Sequence, residues 1–204
     1  MIRVLLADDD ALVLQGLTTI VSSFDDVELV GAVGSGKEVL ALAAQTQVDV
    51  AVLDIRMPGM DGIEVARRLI EQKAATPLLL TTFDEPDLIT RSLEVGVAGY
   101  VLKNSPVERL HSAIVTVAAG GTVFSPDIID FIRAQIHAPS ECFSRLTERE
   151  RAVVELIAQG LDNEQIAQRL YIANGTVRNH ISSILEKTDL KHRTQIAVRY
   201  YAGK

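Results

Sequence analysis

Over residues 1 to about 120, short apolar runs rich in β-branched residues alternate with segments in which apolar positions recur at helical spacing. Such runs are typical of strands buried on both faces of a parallel sheet, and such segments are typical of the helices that cover it. The predicted strands are 2–7, 27–32, 48–53, 77–82 and 98–102. The predicted helices are 11–23, 36–46, 61–73, 86–95 and 106–119. Strict alternation of five strands with five helices predicts an α/β fold, a flavodoxin-like doubly wound parallel sheet.

The pattern changes after Gly120-Gly121. Ser125-Pro126-Asp127 combines a capping serine with a proline in the first turn, which predicts a connector helix near 126–136. Residues 137–144 lack any periodicity and are predicted to form a linker. We expect its length to let the two halves of the chain reorient.

Four helices are predicted after the linker. Thr147 and Glu150 fit a capping box at the start of the first helix, and Gly160 supplies its stop. The second begins near Asp162, the third near 174–176, and the fourth spans 193–201. They predict a small all-α bundle. The predicted domains are a sheet domain (1–120), a connector helix with linker (121–144) and a helical domain (145–204).

Composition fits a globular protein, because 48% of the 204 residues are hydrophobic and 23% are charged. Apolar runs end before membrane-spanning length and the N-terminus lacks a basic, apolar signal, so we expect a cytoplasmic protein with no membrane partner. The single cysteine, Cys142, excludes an internal disulfide and a cysteine metal site. Residues 1–138 carry 19 acids and 10 bases, whereas 139–204 carry 8 acids and 10 bases. The C-terminal part is therefore better suited than the N-terminal part to contact a polyanion.

Polar side chains stand at or just after the ends of four predicted strands. They are Asp8-Asp9-Asp10, Asp54, Thr81 and Lys103. Ligands of doubly wound sheets bind beyond the carboxyl ends of the strands, so these residues are predicted to share one rim. Singly, each has a structural explanation: a solvated turn, a strand-to-helix turn, a strand filler or a lysine reaching to solvent.

Jointly, these residues suit a divalent cation together with a phosphoryl group. Asp9 and Asp54 can supply carboxylates to magnesium, with Asp8 completing or positioning the ligand shell. The carboxylate of Asp54 can also act as a nucleophile that gives an aspartyl phosphate. Lys103 can offset charge on the transferring oxygens, and Thr81 can donate a hydrogen bond to the product.

Residues 1–120 resemble the receiver domain of bacterial response regulators. The matching residues are Asp8-Asp9, Asp54, 57–62, Thr81, 96–100 and Lys103. The resemblance implies that Asp54 accepts phosphate from a phosphohistidine on a cognate sensor histidine kinase. It also implies that magnesium is bound by Asp9, Asp54 and the backbone carbonyl of Arg56, and that Thr81 and Tyr100 move when phosphate arrives.

Two residues flank the reactive centre in this family. Arg56 stands two residues after the phosphoacceptor, and Phe83 two residues after Thr81. Our hypothesis is that these residues tune dephosphorylation, with the bulky Phe83 hindering in-line water so that the phosphoryl group is long-lived.

The second and third helices of the tail fit a helix-turn-helix, in which the second helix enters the major groove. Arg178, Asn179 and Ser182 lie opposite its predicted buried stripe. Arginine can pair with guanine and asparagine with adenine, so this face can read bases. The residues predicted to contact phosphates are Thr176, His180, Lys187, Lys191 and Arg193. The alternative is a solvated helix with scattered charge.

Residues 145–201 resemble the LuxR-type effector domain. The matching tracts are 146–150, 164–167, 175–180, 184–187 and 193–195. With the receiver, the chain is similar to the NarL/FixJ family of transcription regulators over nearly its whole length. Ala173 stands where this family usually has a capping serine or threonine, so Asn174 is expected to cap the third helix instead.

The resemblance implies a phosphorylation-controlled transcription regulator that dimerises on phosphorylation and binds double-stranded DNA. RNA polymerase is a further partner that fits such a regulator. No enzyme activity is expected beyond magnesium-dependent self-phosphorylation and self-dephosphorylation. One alternative is a dimeric DNA-binding protein that works without phosphate. The other is a haloacid-dehalogenase-like phosphatase, which Arg56 opposes because that class has a second aspartate there.

Overall fold

The computed structural model describes residues 1–82, 86–135 and 142–203. Its N-terminal part is a parallel five-stranded sheet in the order β2-β1-β3-β4-β5. The strands are β1 (Ile2–Ala7), β2 (Val27–Val33), β3 (Val50–Asp54), β4 (Thr76–Thr81) and β5 (Gly99–Leu102). The helices between and after them are α1 (Ala11–Val21), α2 (Gly36–Ala43), α3 (Gly62–Gln72), α4 (Pro86–Val95) and α5 (Val107–Ala118). The predicted doubly wound fold is confirmed, with element ends displaced by a few residues.

The core of this part lies on both faces of the sheet. Along β1, Val4 and Leu6 pack with helices α1 and α5, whereas Leu5 and Ala7 face the opposite side with α2, α3 and α4. Successive strand residues point to opposite faces, and here both faces are covered. This explains why the strand sequences are apolar without interruption.

The C-terminal part is all-α, as predicted. Its elements are α6 (Pro126–Gln135), α7 (Glu148–Ala158), α8 (Asn163–Leu170), α9 (Asn174–Thr188) and α10 (Arg193–Ala202). The capping box of Thr147 and Glu150 is confirmed at α7, and Asp162 caps α8 in the same way. A buried cluster joins α7, α8, α9 and α10, with Val177 and Ile184 of α9 fully buried in it.

The expected cap of α9 is wrong. Asn174 is the first residue of the helix, and Ala173 is the N-cap without any side-chain cap bond. The helix begins one residue earlier because the carbonyl of Ala173 already accepts from the backbone N–H groups of Thr176 and Val177, at 2.9 and 3.2 Å. The first turn of α9 therefore lacks a side-chain acceptor for its free N–H groups.

The two parts pack against each other along a seam of close backbone contacts. A Cβ atom at Gly121 would lie 2.9 Å from the carbonyl oxygen of Gly160, and one at Gly160 would lie 2.9 Å from that of Thr122. Val198 of α10 is buried in the cluster that includes the α3 and α4 side of the sheet. Most of the predicted linker, residues 137–141, lies outside the described residues, so reorientation of the two parts stays a prediction.

Among the described residues, the helices are all too short or too polar to cross a membrane.

Candidate functional site

Four predicted site residues meet at one edge of the sheet, because their strands are consecutive in it. Asp8 follows β1, Asp54 ends β3, Thr81 ends β4 and Lys103 follows β5. The register pairs Asp54 with Leu80, and the backbone N–H of Lys103 donates to the carbonyl oxygen of Thr81 at 2.9 Å. The strand order therefore places these residues together at the carboxyl edge of the sheet, as predicted, and this is the edge where ligands of such sheets bind.

Three carboxylates and one ammonium form the centre of this rim. Asp8, Asp9 and Asp54 each present an oxygen, and these oxygens lie within 4.8 Å of one another. The Nζ atom of Lys103 lies 2.7 Å from an Asp8 oxygen and 2.8 Å from an Asp54 oxygen. Asp8 and Asp54 are buried, whereas Asp9 is exposed. A single lysine thus faces three acids, and the cluster has an excess of negative charge.

Burial and neighbouring charge set the protonation of these groups. Burial raises the pKa of Asp54, an effect that Lys103 opposes and that Asp8 and Asp9 reinforce. Burial alone would lower the pKa of Lys103, but hydrogen bonds to Asp54 and Asp8 raise it above its usual value. The lysine is therefore firmly cationic, whereas its surroundings disfavour the charge of Asp54.

The turn after Asp54 is held tightly. The backbone N–H of Gly62 donates to the carbonyl oxygen of Ile55 at 2.9 Å, and a Cβ atom at Gly62 would overlap the carbonyl group of Asp54. The Asp61 carboxylate caps α3 by accepting from the N–H of Glu64 at 2.7 Å. Arg56 lies exposed in this turn. The start of α3 thereby fixes the backbone that presents the Asp54 carboxylate.

The two predicted switch residues lie on neighbouring strands. Thr81 is half-buried at the end of β4, and Tyr100 of β5 is only 1% exposed. The hydroxyl of Tyr100 donates to the carbonyl oxygen of Ile89 in α4 at 3.4 Å. Burial raises the pKa of Tyr100, so the phenol stays neutral. Phe83, one of the two residues predicted to tune dephosphorylation, lies outside the described residues.

The donor set fits a hard divalent cation. Carboxylate oxygens are the ligands that magnesium prefers, and it needs only one or two of them because it keeps several waters. The cluster of Asp8, Asp9 and Asp54 offers these oxygens close together on one rim. The backbone carbonyl of Arg56 belongs to the turn that directly follows the cluster.

The predicted DNA-contacting residues fall into two groups. Along α9, the exposed ones are Thr176, Arg178, Asn179, Ser182 and Lys187, whereas His180 is half-buried; Lys191, just before α10, is exposed. Lys187, although exposed, and the half-buried Arg193 make contacts inside the helical domain. The Nζ atom of Lys187 lies 2.6 Å from a Glu150 oxygen, and the guanidinium of Arg193 donates to Asn163 at 2.5 Å and to the carbonyl of Leu161.

Two residues that had no predicted role, Gln195 and His192, connect the two parts of the chain. The side-chain amide of Gln195 accepts from the backbone N–H groups of Lys191 and His192 and donates to the carbonyl oxygen of Glu94 at 3.2 Å. The His192 ring packs onto Gly96, which has a φ of +88°. The capping role of Gln195 could be predicted from the sequence, because a glutamine three residues after the N-cap is typical of a capping box. Its hydrogen bond to Glu94 depends on tertiary packing and has no local signal in the sequence.

Comparison with known proteins agrees with this geometry. Residues 4–115 match the family described as the response regulator receiver domain, and residues 144–200 match the family described as bacterial regulatory proteins, luxR family. The transcriptional regulatory protein DesR of Bacillus subtilis (strain 168) is 37% identical over 199 residues, which cover 98% of this chain and 96% of DesR. The tracts that favour the DesR branch in the sequence itself are 81–83, 103–106 and 175–179.

Two further similarities extend over both parts. The response regulator protein VraR of Staphylococcus aureus (strain NCTC 8325 / PS 47) is 34% identical over 198 residues, which cover 97% of this chain and 95% of VraR. The crystal structure of the response regulator ChrA, from a heme-sensing two-component system, shares 33% identity with a TM-score of 0.56. That match covers 97% of this chain and 95% of the other.

Proposed function

This chain belongs to the NarL/FixJ family of two-component response regulators, and we propose that phosphorylation of Asp54 by a sensor histidine kinase controls its binding to promoter DNA. In this proposal residues 1–120 receive the signal, 121–144 connect, and 145–204 bind DNA. The observation that carries the proposal is the convergence of Asp8, Asp9, Asp54 and Lys103 at one edge of the sheet.

Asp54 is the proposed phosphoacceptor. One of its carboxylate oxygens forms a bond to phosphorus while the bond between phosphorus and the kinase's histidine nitrogen breaks. Lys103, 2.8 Å from that carboxylate, neutralises charge on the transferring oxygens, and Thr81 is one strand away to donate a hydrogen bond. Magnesium held by Asp9, Asp54 and the Arg56 carbonyl, with Asp8 beside them, would supply further charge neutralisation.

A chain of contacts runs to the helical domain from Tyr100 of β5, the strand that ends next to Lys103 at the rim. Tyr100 lies under α4, with its hydroxyl at the carbonyl oxygen of Ile89. The last turn of α4 presents the carbonyl of Glu94 to Gln195, which also organises the start of α10. A shift of Tyr100 on phosphorylation would move α4 and thereby loosen this contact. The signal would reach the DNA-binding part through α4.

Dimerisation with a second copy of the chain is the proposed consequence. Helix α1 contains no charged residue, and while Leu14, Leu17 and Ile20 pack against the sheet, Leu12 is 78% exposed on its outer side. An uncharged helix surface that carries an exposed leucine is suited to an interaction site. We place the dimer contact on α1 and the adjacent α5, where a phosphate at the rim can alter its stability.

DNA binding is proposed for the exposed side of α9. Arg178, Asn179 and Ser182 would reach base edges, and Thr176 and Lys191 would contact phosphates. A two-fold pair of helical domains would bind two half-sites about one helical turn apart. With only 10 basic and 8 acidic residues after position 138, one domain binds weakly, so dimerisation supplies much of the affinity. The DNA-bound dimer is also the form that RNA polymerase would meet.

Two alternatives remain distinct from this proposal. A phosphatase would need a second aspartate where Arg56 stands, and the relatives are transcriptional regulators. A phosphate-independent dimer would leave the three carboxylates and Lys103 without a function. Both proposed partners, the kinase's phosphohistidine and the promoter, are consistent with the cytoplasmic location expected from the sequence.

Incubation with magnesium and acetyl phosphate tests the proposal. Wild type should gain one acid-labile phosphate and shift to a dimer on a sizing column, whereas Asp54→Asn should do neither. Phosphorylation of Asp54→Asn to the wild-type extent would refute the assignment. Steady release of phosphate from many organic esters would instead support the phosphatase.

The rate of dephosphorylation tests the role of Phe83. Decay of the phosphoprotein in Phe83→Glu at the wild-type rate would reject the hypothesis that Phe83 prolongs the signal.

A further inference from the structure

A buried carboxylate stands where the first helix of the helical domain meets the recognition helix. Glu150, in the first turn of α7, is 3% exposed. One of its oxygens accepts from the backbone N–H of Thr147 at 2.8 Å and from its hydroxyl at 3.0 Å. The hydroxyl of Ser183 donates to the other oxygen at 2.7 Å. The Nζ atom of Lys187 donates to both, at 2.6 and 2.8 Å.

These donors come from two different elements. Thr147 caps α7, whereas Ser183 and Lys187 lie four residues apart on α9 and therefore on one side of that helix. This side flanks the buried stripe of Val177 and Ile184. The Glu150 carboxylate thus bonds two points on one side of α9 and, together with the buried cluster, constrains the rotation of α9 about its axis and its position along that axis, relative to α7.

In the structure, Lys187 binds the carboxylate of Glu150, whereas its position in the sequence suggests a contact with a DNA phosphate. A lysine near the end of a recognition helix is a natural phosphate contact. Here its ammonium is already held by both oxygens of a carboxylate that is itself buried. A buried carboxylate left without its cation would be costly, so the fold keeps the two together.

We propose that Glu150 is a positioning residue for DNA recognition, which holds α9 in reading orientation through Ser183 and Lys187, and that Lys187 neutralises Glu150 instead of a phosphate. The proposal rests on the proposed use of α9 in DNA binding and adds how that helix is held. Although burial alone would raise the pKa of Glu150, the donors from Lys187, Thr147 and Ser183 hold it at about 2. Glu150 is therefore ionised wherever DNA binding is measured.

The salt dependence of DNA binding distinguishes the two roles of Lys187. Each phosphate contact contributes about 0.9 to the slope of log affinity against log salt concentration. If Lys187 contacts a phosphate, Lys187→Met lowers the slope by about that amount. If it serves Glu150, Lys187→Met leaves the slope unchanged and reduces affinity through misplacement of α9.

The experiment uses the full-length phosphorylated protein and two probes, a duplex enriched by it from a random pool and a mixed-sequence duplex. The variants are Lys187→Met, Glu150→Gln, their double variant, and Arg178→Met as a matched control on the exposed side of α9. Glu150→Gln keeps the shape and the cap but releases Lys187, so its slope on the mixed duplex should steepen by about 0.9 while its preference for the enriched duplex falls at least tenfold. The double variant has no unpaired buried charge, so its melting temperature should be higher than that of Lys187→Met.

The outcomes separate this proposal from the proposed function. A slope that falls by about 0.9 in Lys187→Met, with Glu150→Gln behaving as wild type, would overturn the positioning role. Wild-type preference for the enriched duplex in the folded double variant would overturn it as well. If Arg178→Met also binds both duplexes as wild type does, then α9 is not the DNA-reading helix, and the proposed function fails with it.

Discussion

Replacement of Asp54 by asparagine is expected to stabilise the metal-free protein at neutral pH. At an effective dielectric constant of about 20, unit charges 4.8 Å apart repel by about 3.5 kcal/mol, and opposite charges 2.8 Å apart attract by about 6 kcal/mol. Asp54 meets two repulsions of at least this size, from Asp8 and Asp9, because their oxygens lie within 4.8 Å of its own, and one such attraction, from Lys103. The net cost of its charge is therefore at least about 1 kcal/mol before desolvation, which adds to it.

The measurable shift follows from this cost. A gain of 1 kcal/mol corresponds to a rise of about 4 °C in melting temperature for a domain of roughly this size. Because burial raises the pKa of Asp54, the penalty is present when the pH lies above that pKa. It disappears as the pH falls below the usual aspartate value of about 4, where the group is protonated in both folded and unfolded chains. The advantage of Asp54→Asn should vanish there.

Magnesium should reverse the order of stability. A cation at a hundredfold excess over its Kd stabilises the folded protein by about 2.7 kcal/mol, and Asp54→Asn lacks one of the carboxylates that bind it. Thermal unfolding with EDTA and with magnesium measures both effects, and Asp25→Asn serves as a control, since Asp25 is exposed outside the cluster. If Asp54→Asn is destabilised in EDTA, the repulsion from Asp8 and Asp9 does not outweigh the attraction of Lys103. If magnesium stabilises both proteins equally, Asp54 is not one of its ligands.

Three further predictions concern particular contacts. Gly62→Ala should lower the free energy of unfolding by about 1–3 kcal/mol and slow phosphorylation, because the new methyl group overlaps the carbonyl of Asp54. In the control variant Gly16→Ala, the methyl group enters open space on α1 and should raise the free energy of unfolding by about 0.5–1 kcal/mol. Gly96→Ala should make the protein more extended in small-angle scattering than Gly120→Ala. Both glycines have a positive φ, but only Gly96 packs on the imidazole of His192, the residue that caps α10. In acid titrations, wild type should lose stability between about pH 4.5 and 2 as Glu150 is protonated, and Glu150→Gln should lose correspondingly less there.

The sheet and its rim were predictable because their signals are local. Uninterrupted apolar runs mark strands buried on both faces, and a carboxylate, hydroxyl or lysine directly after a strand end marks the rim. Strand order then brings Asp8, Asp54 and Lys103 together without further information. The capping boxes at Thr147 and Asp162 were equally readable, since each needs residues only three apart.

Partners set by tertiary packing were not predictable. The sequence places Lys187 and Arg193 among basic residues suited to phosphates, yet their bonds to Glu150 and Asn163 depend on how distant helices meet. The cap of α9 was wrong because the backbone of Ala173, not a side chain, closes the first turn. The packing of Gln195 on α4 has no local signal at all, because it joins residues about 100 positions apart.

In the proposed mechanism, phosphorylation of Asp54 controls how much of the target DNA is occupied by the protein. The most direct measurement is fluorescence anisotropy of a duplex enriched by the wild-type protein, titrated with wild type and Asp54→Asn, each with magnesium and with or without acetyl phosphate. The phosphodonor should strengthen DNA binding by wild type at least tenfold and leave binding by Asp54→Asn unchanged. Equal binding by the two proteins, with and without the phosphodonor, would show that phosphorylation of Asp54 does not control DNA binding.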